Sequence, residues 1–160
     1  MKTKFLALVL VVTVGLFLGG CGGHEHDHDH AHGGFEWIGE FELTAGEYLF
    51  HFGACEDETM DVGFIKMGDN ITDLEHHAAH VMASDKERIP QEGTFEAKPD
   101  YAYTLEMDPE HGHIYFTISE DGVYAIVTEH FPGEMDMQVF TQDQEELSPI
   151  KEHEGAAHEH

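Results

Sequence analysis

The sequence predicts an all-β protein: an antiparallel β-sandwich of about eight strands with one short helix insertion, flanked by disordered His-rich tails. Three observations carry this. Apolar and polar residues alternate with a period of two through much of residues 35–148, as in strands that bury one face. Turn residues recur every 8–12 positions between those runs, the spacing of a sandwich. A helix-capping signature occurs once, at Thr72-Asp73-Leu74-Glu75.

The first strand falls at residues 35–43, where Phe35, Trp37, Gly39, Phe41 and Leu43 share a face. Ala45-Gly46 turns the chain. Tyr48, Phe50 and Phe52 then share the inner face of the next strand, which leaves His51 toward solvent. Further strands are expected at residues 60–67, 94–97, 101–107, 113–119, 123–129 and 135–140. Between them stand Gly68-Asp69-Asn70, Lys98-Pro99-Asp100, Asp108-Pro109-Glu110-His111-Gly112, Glu120-Asp121-Gly122 and Pro132-Gly133. The capping box, with Thr72 as N-cap, predicts a helix over residues 73–84. Leu74, Ala78, Val81 and Met82 form its packing face, His76 and His80 its exposed face, and His77 the border.

Four segments follow from composition. Lys2 and Lys4 precede an uncharged apolar run at residues 5–17, too short for a spanning helix with proper flanks. Leu18-Gly19-Gly20-Cys21 closes that run and resembles the lipobox of a bacterial type-II signal peptide. The resemblance implies removal of residues 1–20, diacylglycerol on the Cys21 sulfur and acylation (palmitate) of the new N-terminus. Two or more chains anchor stably to a membrane. Residues 21–34 form a tether, residues 35–148 the folded domain and residues 149–160 a His-rich tail.

The chain carries 33 acidic and seven basic residues, a net charge of −26. Without Lys2 and Lys4, five basic residues face the same 33 acids, about −28. That balance excludes nucleic acid and anionic headgroups as partners and attracts cations. With Cys21 committed to lipid, Cys55 stands alone, so no intrachain disulfide forms, and a buried, inert thiol is expected.

The tether reads His24-Glu25-His26-Asp27-His28-Asp29-His30-Ala31-His32, and the tail ends with His153, His158 and His160 among acidic neighbours. Neutral imidazole suits zinc, nickel, copper and cobalt, and carboxylates add charge. A flexible tract of this kind binds several ions with little geometric selectivity. Within the domain, His76 and His80 stand at i, i+4, within reach of one ion. His111-Gly112-His113 is a His-x-His whose rings would share a strand face. Glu129-His130 ends a strong strand. Met135-Asp136-Met137 and other methionines offer soft ligands for copper, although core packing is their commoner use. The sequence contains no nucleophile elbow, zinc-protease motif, phosphate loop or dinucleotide fingerprint, so no enzyme is expected.

Residues 35–48, Phe-Glu-Trp-Ile-Gly-Glu-Phe-Glu-Leu-Thr-Ala-Gly-Glu-Tyr, and residues 122–130, Gly-Val-Tyr-Ala-Ile-Val-Thr-Glu-His, resemble a group of small exported bacterial proteins. These carry His-rich tails and are associated with genes for metal uptake and metallochaperones. The resemblance spans about residues 35–140. It implies a β-sandwich, a role in zinc or related metal homeostasis, and a part for Glu129 and His130.

The expected function is a lipid-anchored envelope protein, facing the periplasm or cell exterior, that binds zinc or alternatively copper, nickel or cobalt. It would sequester, buffer or deliver the ion to a metal transporter. His130, with His76, His80, His111 and His113, would hold one ion in the sandwich. The rival expectation is a surface module that binds a protein or glycan, with the His tracts as spacers.

Overall fold

The computed structural model describes residues 34–155. The signal segment, Cys21, His24, His26, His28, His30, His32, His158 and His160 lie outside that range. None of the described helices is long and apolar enough to cross a membrane.

Two sheets face each other. One has the order β11 (Lys151–Glu154), β1 (Trp37–Leu43), β8 (Gly122–Thr128), β3 (Thr59–Lys66), β6 (Tyr101–Glu106) and β4 (Glu87–Ile89). The other runs β10 (Glu146–Leu147), β9 (Gln138–Thr141), β2 (Gly46–Phe52), β7 (Gly112–Ile118) and β5 (Thr94–Glu96). Neighbours are antiparallel, except that β4 lies parallel to β6 and β5 parallel to β7. Helix α1 (Leu74–Met82) covers the outer face of the first sheet.

Period-two alternation builds the inner core. Trp37, Phe41 and Leu43 of β1 meet Phe50 and Phe52 of β2, Phe64 of β3 and Phe116 of β7. The outward residues of the first sheet are also apolar, because α1 needs a floor. Ile38, Ile65, Ala102, Ala125 and Val127 pack there against Ala78, Val81 and Met82. Gly63 makes the fit close: a Cβ on it would lie 3.1 Å from the Met82 sulfur and 3.2 Å from a Val81 methyl. Gly39 likewise leaves room for the Trp37 indole, which lies across it.

The chain crosses from sheet to sheet at almost every turn, so most turns are arches rather than hairpins. Three tyrosine hydroxyls brace them. Tyr48 donates to the Thr44 carbonyl (2.9 Å) and accepts from the Thr44 amide (3.0 Å) between β1 and β2. Tyr103 donates to the Glu96 carbonyl (2.6 Å) and accepts from the Lys98 amide (3.1 Å) between β5 and β6. Tyr124 donates to the Glu120 carbonyl (2.8 Å) between β7 and β8. Each ring is buried while its hydroxyl satisfies turn backbone, as in the tyrosine corners of other sandwiches.

The sandwich and its one helix match the expectation, with differences in detail. The described residues form eleven strands, not about eight, because β4, β10 and β11 are short and polar. The domain does not end at residue 148. Lys151–Glu154 adds to the edge of β1, so part of the expected tail is sheet, held by ladder bonds that need no apolar side chains. The helix N-cap is Asp73 rather than Thr72: its carboxylate accepts from the His76 amide at 3.0 Å. Phe35 precedes β1 and joins the core beneath α1 instead of the inner face. Residues 132–134 form a 3-10 turn, so the last long strand starts at Gln138 rather than at 135. Cys55 is a free, partly buried thiol against the core, not a fully buried one.

Candidate metal centre

One corner of the first sheet gathers carboxylates around an imidazole. Glu36 lies immediately before β1, where its amide continues the ladder to the Thr128 carbonyl at 3.1 Å. His130 lies two residues after β8, its carbonyl fixed by the Thr128 hydroxyl at 2.6 Å. Pro132 opens the 3-10 turn and so brings Glu134 back to His130 at i, i+4. Asp57 approaches from the loop between β2 and β3.

His130 Nδ1 stands 3.9 Å from Glu134 Oε2, and its Nε2 stands 3.8 Å from Asp57 Oδ2. Among the described residues, Glu36, His130 and Glu134 form a group of three whose ligand atoms all lie within 4.8 Å of one another. Zinc bonds of about 2.0–2.2 Å bring donors to about 3–3.5 Å apart, so binding needs a small rotation of the glutamates. Glu134 is exposed and free to make it. The described ion pairs of Lys66, Lys86, Arg88 and Lys151 go to Glu120, Asp61, Glu106 and Glu40. No lysine or arginine pair thus reaches this corner, and a bound cation would balance its carboxylates.

Both ends of the described chain meet here. Gly34 and Phe35 lead into Glu36, and the Gly155 amide donates to the Glu36 carbonyl at 2.8 Å. In sequence, His32 precedes Glu36 by four residues and His158 follows Gly155 by three. The two His-rich segments therefore join the sandwich at one point.

The other expected ligands are distributed differently. Glu129 is not part of the group: its carboxylate accepts from the Asp61 amide at 3.1 Å, completing the β3–β8 pairing. His153 is turned to Glu40, with Nε2 2.7 Å from Oε1. His76 and His80 do share one exposed face of α1, their Nε2 atoms 3.1 Å apart. His111 and His113 lie edge to face, with ring centroids 5.9 Å apart, the His111 amide held by Asp108, and His113 Nε2 also meets His51 of β2 across the second sheet. The two sheets thus separate the helix histidines from His113, and the domain histidines cannot hold one common ion. Sequence reasoning missed Glu36, Glu134 and Asp57. The i, i+4 spacing of His130 and Glu134 was visible, but no strand or helix pattern marked it.

A cleft of about 560 Å³ adjoins the corner, between the β1/β11 and β9/β10 edges. Trp37, Phe41, Phe131, Met137, Val139 and Leu147 line its floor, with Glu146, Glu152 and Glu154 at the rim. The Trp37 indole N–H donates to Glu152 at 2.8 Å.

No family model matches the chain, and neither a curated protein nor a solved structure matches it. The fold and these side chains define its class directly: a two-sheet β-sandwich with a carboxylate–imidazole cluster where the chain enters and leaves.

Proposed function

We propose that this chain is a lipid-anchored protein of the bacterial cell envelope that binds transition-metal ions, zinc foremost. It sequesters or buffers the ion, or passes it to a transporter. One observation carries the reading: the roots of both His-rich segments meet at Glu36, beside His130 and Glu134. Loosely bound ions on the tracts would exchange onto a better-defined site with one imidazole and two carboxylates. Ligand exchange between neighbouring donors needs no large motion of the sandwich. Copper, nickel and cobalt are the alternative ions, since nitrogen ligands accept all of them. The lipobox at Cys21 supplies the anchor in this reading.

The test is a competitive zinc titration of residues 34–155 beside residues 22–160. The shorter protein should take up one equivalent, and His130→Ala should weaken that uptake at least tenfold, about 1.4 kcal/mol. An unchanged affinity would remove the corner as a site. Uptake by the longer protein alone would confine metal binding to the tracts.

The cleft favours a second reading, in which the sandwich binds a protein partner and the tracts are spacers. Its apolar floor and acidic rim suit a segment with an aromatic or aliphatic anchor flanked by basic residues.

A further inference from the structure

The second sheet carries a pair of imidazoles on its outer face that the corner does not explain. His51 of β2 and His113 of β7 are register partners in an antiparallel pair. Both alternate with the buried residues Phe50, Phe52, Ile114 and Phe116, so their rings stand side by side outside the core. His113 Nε2 lies 3.0 Å from His51 Nδ1, and the ring centroids are 5.0 Å apart. The other nitrogen of His113, Nδ1, faces Glu92 Oε1 at 3.6 Å.

Glu92 is held in place by its backbone. Its amide donates to the His113 carbonyl at 2.8 Å, and its φ of 57° is in the left-handed region. Glycine or asparagine adopts that conformation more easily. The turn thus holds a carboxylate beside His113 in a backbone conformation that glutamate rarely takes.

We propose that His51 and His113 form a binding site for a late first-row divalent ion, copper(II) or nickel(II), with Glu92 as the residue that orients His113. Two imidazole nitrogens bound at about 2.0–2.1 Å stand about 2.9 Å apart at a right angle and about 3.4 Å apart at the tetrahedral angle. The 3.0 Å separation lies near the right-angle value, the arrangement of tetragonal copper and nickel. Drawn in from 3.6 Å to accept from Nδ1–H, the Glu92 carboxylate would hold the His113 tautomer in which Nε2 keeps its lone pair for the ion. Water fills the remaining positions. The helix pair His76 and His80 has a similar spacing, 3.1 Å, but is exposed on one short helix. The strand pair is half-buried on two hydrogen-bonded strands and has the orienting carboxylate. This site lies on the opposite sheet from Glu36 and His130 and stands or falls independently of that corner.

The test uses residues 22–160, unlipidated, in thermal melts with and without nickel(II). An ion held equally by the folded and the unfolded chain moves Tm little; a site present only in the fold raises it. In a His76→Gln/His80→Gln/His130→Gln background, nickel at about a hundred times Kd should raise Tm by roughly 10 °C. His51→Gln or His113→Gln should abolish the rise, and Glu92→Gln should raise the nickel Kd about tenfold. Metal-free melts show whether either histidine variant unfolds the sheet by itself, in which case Glu92→Gln decides. The proposal is overturned if nickel gives no rise in that background, if the rise survives both histidine substitutions, or if Glu92→Gln leaves Kd unchanged. The pair would then be an imidazole–imidazole hydrogen bond only.

Discussion

His153 Nε2 lies 2.7 Å from Glu40 Oε1, so β11 is fastened to β1 by a side-chain pair as well as by its ladder. Glu40 is also 3.6 Å from Lys151 Nζ, on the same added strand. A segment with the composition of a tail is thereby part of the sheet.

Truncation should expose the difference. Removing residues 150–160 deletes β11 and bares the β1 edge. It should cost about 2 kcal/mol of unfolding free energy in urea, the net worth of a short ladder. The open edge should also promote self-association, read by light scattering. Removing residues 156–160 alone should leave both measurements where they were.

Tyr103→Phe tests the braced arches. The ring stays buried, but the Glu96 carbonyl and the Lys98 amide lose their partner. A cost of about 1–2 kcal/mol is expected. The phenol should meanwhile titrate above its ordinary value of 10.0, chiefly because burial opposes the phenolate. Its ultraviolet difference spectrum gives that titration, and Tyr103→Phe should remove the late-titrating component.

Two carboxylates make stability fall in acid. Asp108 is held below its ordinary 3.8 by the amides of Glu110 and then His111, and Glu120 below 4.5 by its hydrogen bond from Lys66. Both folded values are lower than the unfolded ones. Their contribution is therefore complete above the unfolded values and is lost as pH falls through the depressed ones. Thermal melts of Asp108→Asn should differ from wild type above the ordinary value of 3.8 and converge on it as pH falls through the depressed one. Lys66 runs the other way: raised above 10.5, chiefly by Glu120, it loses its contribution only as pH rises past that value.

Zinc uptake should have its own pH profile. Imidazole must be neutral to bind, and a free imidazole protonates near pH 6.5. Affinity should fall steeply between about pH 6.5 and 5, with one proton released per histidine engaged. An affinity unchanged at pH 5 would eliminate imidazole as the ligand.

The sandwich was legible where side chains alternate, as in β2 and β7, because burial of one face dictates a period of two. It was illegible where backbone pairing alone makes the strand. Lys151-Glu152-His153-Glu154 has no apolar face, and Glu87–Ile89 is three residues long. Turn positions were readable from Gly, Pro and Asp, but arches and hairpins share that chemistry, so strand partners were not. The candidate site shows the same limit. His130 was visible at the end of a strand, whereas Glu36 lies 94 positions away from it along the chain. His51 and His113 were each seen alone, and only the register of β2 against β7 joins them.

Trp37 is the sole tryptophan in the sequence, 6% exposed, directly after Glu36 and at the wall of the cleft. All indole fluorescence therefore originates at one seam. Copper held by Glu36 would quench that emission through its unpaired electron, zinc would leave the intensity largely intact, and a peptide seated over the indole would shift its wavelength. The protein thus carries its own optical gauge, able to tell an occupied corner from an occupied cleft without an added label.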